Sequence, residues 1–298
     1  MPWYFYAVAT PALYSIANFI DKYLLEKRIK DPLIIAVIFG LTSGLLGIIL
    51  GFVTGFKNIG LGPIFLLLVA GALLVFYLIP YFTALSSDDV SRVVPLLQFI
   101  PVFTLILSSL FLNESMTVKQ IIGLVIVVLT GVFLSTDKIE GKIFTPRKSL
   151  WYMLLAALMF GSSSILFRFV SKESSFWINL SYEFIGLGIG SLILLTIPKL
   201  RRNIFLQFKL LRSAFGLVNV VNGIAILAQM TEAYAVTLIA VPFVNLMGSI
   251  QPMFVLVFGI VLTKWFPNII KEDISKAIIY KKIASILFIL VGFYLVYF

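Results

Sequence analysis

The sequence contains no cysteine and no histidine. The absence of cysteine excludes disulfide bonds and thiolate ligands, and the absence of histidine excludes Ser-His and Cys-His nucleophile systems. Zinc sites of the ordinary kind are excluded as well, because their ligands are mostly these two residue types. We expect no metal and no catalytic site, and we predict that the protein is not an enzyme.

Charged residues are also scarce. They make up 12% of the chain, whereas a soluble domain carries about 25%. Hydrophobic residues make up 61%, and they occur in runs of about twenty, the length that crosses about 30 Å of hydrocarbon. The sequence therefore predicts an all-α polytopic membrane protein, with the lipid bilayer as its surroundings.

The formal charge of +10 does not indicate nucleic-acid binding. The basic residues lie in short segments between apolar runs, which is typical of loops that face the cytoplasm. No basic patch interleaved with aromatic residues is large enough to follow a phosphate backbone. We expect no nucleic-acid partner.

Charged and Pro/Gly-rich breaks divide the chain into ten predicted transmembrane helices. The N-terminus "MPWYFYAVATPALYSIANFI" lacks a positive segment and a small-residue cleavage site, so we expect the first span to be retained. The predicted spans are 3–21, 33–55, 63–85, 93–112, 119–136, 150–170, 177–197, 213–231, 239–263 and 282–298.

The distribution of lysine and arginine predicts the orientation. The loops after the odd-numbered spans hold 19 of the 23 basic residues, and the loops after the even-numbered spans hold the other 4. Because cytoplasmic loops carry the excess of lysine and arginine, both termini are expected outside. The expected location is the cell membrane (plasma or bacterial inner membrane).

The two halves of the chain resemble each other. "YSIANFIDKYLLEK" (14–27) aligns with "GSSSILFRFVSKES" (161–174), and "FIPVFTLILSSLF" (99–111) aligns with "IQPMFVLVFGIVL" (250–262). Five spans in each half mean that the second copy enters from the opposite face. We therefore predict an inverted repeat, with residues 1–136 as the first five-helix unit, 150–298 as the second, and 137–149 as the connecting loop.

Three stretches resemble the drug/metabolite transporter superfamily, in particular its EamA-like ten-helix members. They are "LYSIANFIDKYLLEK" (13–27), "YFTALSSDDVSRVVPLLQFIPVFTLILSSLFLNE" (81–114) and "MTVKQIIGLVIVVLTGVFLS" (116–135). The resemblance implies two bundled halves around a central cavity that moves small metabolites, amino acids or drugs, with helices 5 and 10 peripheral. It also favours export. One departure is that Glu114 has no counterpart in the second half, where Lys264 and Trp265 stand.

Glu183 is the most informative charged residue, because it lies inside the apolar run 177–198, where an ionised side chain is costly. A hairpin of spans 6 and 7 would bring it close to Arg168. One interpretation is a structural ion pair. The other is a coupling site, in which Glu183 binds a proton or a cationic substrate and Arg168 is its switchable partner. Asp21, beside Lys22, is either part of an interfacial charge pair or a gate.

Uncharged polar residues within the spans are candidate ligands of a solute, although each one could instead bridge two helices. These are Asn18, Gln98, Ser163, Asn219, Asn222, Asn245 and Gln251. Tyrosines could form the wall of a pocket for a planar or cationic solute, namely Tyr14, Tyr77, Tyr81 and Tyr182. Glu232 either caps the loop between spans 8 and 9 or faces the external mouth.

Prolines and glycines are also positioned symmetrically. Pro95 and Pro101 are expected to interrupt span 4, and Pro242 and Pro252 to interrupt span 9. Glycines in spans 2 and 7 predict close helix packing. They are Gly40, Gly44, Gly47, Gly51, Gly55, Gly186 and Gly190.

Together these patterns predict a secondary-active transporter of a small organic solute that works by alternating access. No nucleotide-binding motif is present, so neither ATP nor another cofactor is expected. The alternative is a membrane scaffold or receptor subunit that transports nothing.

Overall fold

The computed structural model describes residues 3–29, 31–135, 148–172, 174–265 and 276–297. Within these ranges every regular element is helical, as predicted. The connecting loop 137–149 lies outside the described residues except for its last two positions, which belong to a helix. The helices are α1 Trp3–Lys27, α2 Pro32–Thr54, α3 Leu61–Ser87, α4 Val90–Val93, α5 Ile100–Phe111, α6 Val118–Ser135, α7 Lys148–Ser171, α8 Phe176–Leu194, α9 Pro198–Leu206, α10 Phe208–Leu238, α11 Val241–Met247, α12 Gln251–Trp265 and α13 Lys276–Tyr297.

Eight helical segments in the described part of the chain are long and apolar enough to cross a membrane. The chain is thus a multi-pass membrane protein. The helices α1 and α6 occupy the first and fifth predicted spans but fall outside this set. The apolar part of α6 is short, and the tyrosine, threonine, serine and asparagine residues along α1 lower its mean hydropathy. The ten-span topology stays a prediction.

The fourth and ninth predicted spans are both interrupted, as the prolines predicted. A 3₁₀ turn at Val94–Phe99, which contains Pro95, separates α4 from α5. A second 3₁₀ turn, at Gly248–Ile250, separates α11 from α12. Proline removes a hydrogen-bond donor and clashes with the preceding turn, which accounts for the break at Pro95 and for the one just before Pro252.

The main helix contacts join the two predicted repeats. Helix α3 of the first half packs on α7 of the second half, and α10 of the second half packs on α1 of the first half. These two contacts exchange when the halves are exchanged. In addition α2 packs on α8, and α6 on α13 at the edge of the bundle, around a small cluster of its own that includes Val127 and Ile289. The buried core therefore draws on both halves.

The seam between α8 and its neighbours α2 and α3 depends on glycine. A Cβ on Gly44 would lie 2.6 Å from the Cα of Gly188, and a Cβ on Gly71 would overlap the carbonyl group of Glu183. The predicted close helix packing is confirmed for Gly40, Gly47, Gly186 and Gly190 as well. It is wrong for Gly51, which meets only the ring of Phe56, and for Gly55, which ends α2 in the left-handed region with φ of 78°. Small residues thus let three helix backbones approach closely.

Substituting Gly44 by alanine is expected to destabilise the protein, because its methyl group has no space against Gly188. We expect a loss of about 1–3 kcal/mol, typical of overpacking in a well-packed core. Denaturant titration in mixed micelles would measure it.

Gly223→Ala is the matched control, since a Cβ there would meet nothing within 4 Å and the residue also lies inside a long helix. It should be neutral or slightly stabilising, because alanine favours helix more than glycine does. Equal losses in the two variants would contradict the packing role of Gly44.

Candidate functional site

Two cavities lie one after the other along α1. The first has a volume of about 620 Å³ and runs beside Ala7 to Asn18. The second, of about 520 Å³, runs beside Tyr14 to Asp21. Five residues line both cavities and form the partition between them, and four of the five are aromatic. These shared residues are Tyr14, Asn18, Tyr77, Tyr81 and Phe160.

The two interrupted spans meet at the first cavity. Gln98, in the first 3₁₀ turn, lines it, as do Gly248 at the start of the second turn and Gln251 directly after it. The side chain of Gln98 also accepts a hydrogen bond from the hydroxyl of Ser249. The helix breaks therefore contact each other and place polar groups beside the same space.

Several polar atoms around the first cavity are buried without a hydrogen-bond partner in the described structure. They are Nδ2 of Asn18, both polar atoms of the Asn245 side chain and Nε2 of Gln251. The other polar atom of Asn18, Oδ1, accepts a hydrogen bond from the hydroxyl of Tyr81 at 2.8 Å. Buried polar atoms are normally paired, so this group of amides is suited to hold a polar solute.

The second cavity is bounded by α1, α2, α3, α7 and α10. Asp21 lines it from α1, and Asn222 and Gln229 line it from α10. Asn222 donates a hydrogen bond to the hydroxyl of Thr42 at 3.3 Å. The side chain of Gln229 donates to Oε2 of Glu183, also at 3.3 Å. Gln229 thus connects Glu183, which is buried behind it, to the cavity.

The predicted pairing of Arg168 with Glu183 is wrong. Arg168 instead pairs with Glu114, with 3.3 Å between Nε and Oε1, and donates to the carbonyl oxygen of Thr237 at 2.7 Å. The other carboxylate oxygen of Glu114 accepts the backbone N–H of Val241 at 3.3 Å. We call this cluster the Arg168 latch. It joins the ends of α7 and α10 to the start of α11.

Lys22 occupies an equivalent place in the first half. Its ammonium group donates to the carbonyl oxygens of Leu85 and Asp88 at 2.9 and 2.8 Å, and it pairs with Glu26 at 3.2 Å. The predicted charge pair of Lys22 with Asp21 is therefore wrong, and Asp21 faces the second cavity instead. We call these contacts the Lys22 latch. In each half, a cation at the end of the first long helix holds the end of the third.

Eight of the eleven candidate residues for solute binding line the cavities, namely Tyr14, Asn18, Tyr77, Tyr81, Gln98, Asn222, Asn245 and Gln251. The other three do not. Tyr182 donates to the carbonyl oxygen of Lys57 and packs on Phe56. Asn219 is half-buried and donates to the carbonyl oxygen of Phe215, and Ser163 is buried within α7 away from both cavities.

Phe160 and Gln229 are among the cavity residues that were not predicted, and the position of Glu232 was left open between a cap and an external mouth. Glu232 lines the first cavity. A signal was available, because Asn222, Gln229 and Glu232 are separated by seven and three residues and so lie on one side of a helix. No such signal exists for Phe160, since no sequence feature distinguishes it from the other aromatic residues of the predicted spans.

Comparison with known proteins supports this description. Residues 1–136 match the model of the EamA-like transporter family, which confirms the predicted resemblance to the drug/metabolite transporter superfamily. An uncharacterized protein of Methanocaldococcus jannaschii is 41% identical over 69 residues, which cover 23% of this chain and 46% of that protein. The chain therefore matches about half the length of that relative.

A protein of known crystal structure has the same fold along nearly the whole chain. The superposition covers 98% of this chain and 94% of the other, with a TM-score of 0.58 and 13% sequence identity. At this identity the likeness concerns the fold alone. EamA-like proteins are transporters, and the family match extends over the predicted first repeat.

Removing the charge of Arg168 should destabilise the protein, because Glu114 would remain largely buried without a cation. The two side chains are only 17% and 14% exposed. For Arg168→Met we expect a loss of about 2 kcal/mol in the free energy of unfolding, less than for a fully buried pair. Denaturant titration would measure it.

A double variant, Arg168→Met with Glu114→Gln, should recover part of that loss, because no buried charge is then left unpaired. Lys172→Met serves as the control, since Lys172 is an exposed cation directly after the end of α7, four residues from Arg168. It should change stability by less than about 0.5 kcal/mol. Additive effects of the two latch substitutions would contradict the pairing.

Proposed function

We propose that this chain, whose first 136 residues match the EamA-like transporter family, is a secondary-active transporter of a small organic solute. It works by alternating access and exports its solute across the cell membrane, with both termini outside. The observation that carries the proposal is the first cavity, where two interrupted spans meet and buried amides lack partners. Interrupted helices that meet near the midplane are the usual place of transporter sites.

The helix contacts support the proposed inverted repeat of ten spans. If α1 to α6 and α7 to α13 are equivalent units, the contact of α3 with α7 corresponds to that of α10 with α1. The Lys22 and Arg168 latches correspond in the same way, since each joins the first and third long helices of its half. Both interrupted spans occupy the fourth place in their halves.

One pair of equivalent seams differs, which supports alternating access. α3 packs closely on α8, whereas the corresponding helices α10 and α2 make few contacts, and the second cavity lies between them. If the two equivalent halves exchanged these arrangements, α10 would pack closely on α2, and α3 would separate from α8. The second cavity would then close, and a corresponding space would open on the other side of the bundle. Each latch lies near the C-terminal end of its helix, α1 or α7, and in an inverted repeat these two ends lie on opposite faces of the membrane, where the latches would act as gates.

Glu183 is the proposed coupling residue. It is 3% exposed, and its side chain accepts a hydrogen bond from Gln229, which lines the second cavity. In the described structure Glu183 has no cation within ion-pair distance, so Arg168 acts as a gate and not as its partner. A buried carboxylate can bind a proton in one state of the cycle and release it in the other.

The alternative, a scaffold or receptor subunit, gives the cavities no role. Only a transporter exchanges solute across a sealed bilayer. We would first screen the purified protein by thermal shift against amino acids, nucleotide sugars and cationic drugs. Solutes that stabilise it would then be tested for flux in proteoliposomes.

Asn245→Leu should abolish most of this flux, because it removes two unpartnered polar atoms from the first cavity. We expect at least about a tenfold fall in initial rate, equivalent to the loss of about 1.4 kcal/mol of solute binding. Asn219→Leu is the matched control, since Asn219 lines neither cavity. Its flux should stay near the wild-type value. No flux in the wild-type protein, or equal flux in both variants, would contradict the proposal.

Glu183→Gln should uncouple transport from the proton gradient. The amide cannot exchange a proton, so an imposed pH difference should no longer drive accumulation, while counterflow at equal pH should continue. Asp89→Asn changes a half-exposed carboxylate outside the cavities and should leave coupling unchanged. Normal pH-driven accumulation by Glu183→Gln would exclude this coupling role.

A further inference from the structure

We infer that the solute held by these cavities is an organic cation with an apolar or aromatic body. The inference rests on the proposed transport function and adds the chemical class of the solute. Three observations carry it: the sign of the charge in the cavities, the aromatic residues in their walls, and the unpartnered amides.

Each cavity contains one carboxyl group and no cation. Glu232 lines the first cavity and Asp21 the second, and each residue is 8% exposed. Neither has a hydrogen bond or an ion pair to any other described residue. No lysine or arginine lines either cavity in the described part of the chain. A cation that enters such a space can pair with a carboxylate, whereas an anion would find no positive group to pair with.

The cations of the surrounding helices are already engaged. Lys22 follows Asp21 in sequence, but its ammonium group is bound by the carbonyl oxygens of Leu85 and Asp88 and by Glu26. Arg168 is held by Glu114 and the carbonyl oxygen of Thr237. Neither side chain can neutralise Asp21 or Glu232 without breaking its latch. A cationic solute would supply the missing positive charge.

Aromatic rings form the partition between the two carboxyl groups. Tyr77 stacks on Tyr81 with 5.8 Å between ring centroids and meets Phe160 edge-on at 5.1 Å. Tyr14 joins them in both cavities. Aromatic rings attract ammonium groups and also pack against an apolar body, so they suit an organic cation that passes from one carboxyl group to the other.

The unpartnered amides give an independent indication of a ligand beside Glu232. Asn18, Asn245 and Gln251 are at least nine-tenths buried, and each presents an unpaired polar atom in the same cavity. Oδ1 of Asn245 can accept a hydrogen bond from an ammonium group, and the amide nitrogens can donate to hydroxyl or carbonyl groups elsewhere on the solute. Glu232 therefore does not stand alone as an acidic residue.

The residues that line the cavities favour an organic cation over a metal ion. In the described part of the chain no three acidic, histidine or cysteine side chains are close enough to hold a metal. A metal ion would thus lack a set of ligands, whereas an ammonium compound with a ring could use the aromatic residues and the single carboxyl group of each cavity.

Charge selectivity can be tested on the unmodified protein. Isothermal titration of the purified protein in detergent would compare phenyltrimethylammonium with benzenesulfonate, which has a similar size and the opposite charge, and with uncharged benzyl alcohol. Choline and tetraethylammonium extend the set of cations. We expect at least one cation to bind about tenfold more tightly than the anion and the alcohol, a difference of about 1.4 kcal/mol.

Variants then locate the binding. Glu232→Gln and Asp21→Asn keep the shape of each side chain and remove its charge, and each should weaken binding of the cation at least about fivefold. Asp89→Asn, a carboxylate outside both cavities, should bind the cation with wild-type affinity. If a variant does not fold, competition between the cation and the other probes in the wild-type protein decides the question.

The outcomes separate this inference from the proposed function. Binding of the anion or the alcohol as tightly as the cations overturns the inference, and so does the absence of binding by all three cations. Wild-type affinity in both carboxyl variants overturns it as well. If proteoliposomes exchange an uncharged or anionic solute and Glu232→Gln leaves that flux unchanged, the proposed transport function holds and the inference of a cationic solute is overturned. If cations bind selectively but no solute is exchanged, transport fails.

Discussion

The need to pair every backbone polar group inside hydrocarbon governs this structure. A helix pairs its own backbone groups, which is why every regular element described is helical. A helix can be interrupted at membrane depth only where protein or a cavity covers the break. Both 3₁₀ turns meet this condition, because Pro95, Gln98 and Ser249 are buried and the two turns contact each other. The covered breaks are what introduce polar groups at the middle of the bundle.

The close seam of α8 and the space beside α10 result from different residues. α8 lies between α2 and α3 because Gly44, Gly71 and Gly188 let the three backbones approach. No such seam forms between α2 and α10, where a Cβ on Gly223 would meet nothing. The carboxyl group of Asp21 and the aromatic partition lie on this looser side. Tight packing on one side of the bundle therefore accompanies a cavity on the other.

Features that depend on neighbouring residues could be predicted from the sequence, and those that depend on distant ones could not. The interrupted spans and the glycine seam follow from local chemistry, and residue type alone identified eight of the residues that line the cavities. The partner of Arg168 was missed because spans adjacent in sequence were assumed to pack together. In the structure α7 and α8 make few contacts, and α8 lies between α2 and α3. Asn219 and Tyr182 were misplaced because depth in a span does not reveal the direction of a side chain.

The packing of α1 on α10 also has a consequence for biosynthesis. The side of α1 that carries Thr10, Asn18 and Asp21 faces cavities whose other walls include α10, and α10 follows eight further helices in the chain. Until α10 is made, this side of α1 is only partly covered, although α3 already supplies Tyr81 to Asn18, and exposing polar groups to lipid is costly. We expect α1 to stay beside the insertion machinery, or at the membrane surface, until α10 has left the ribosome.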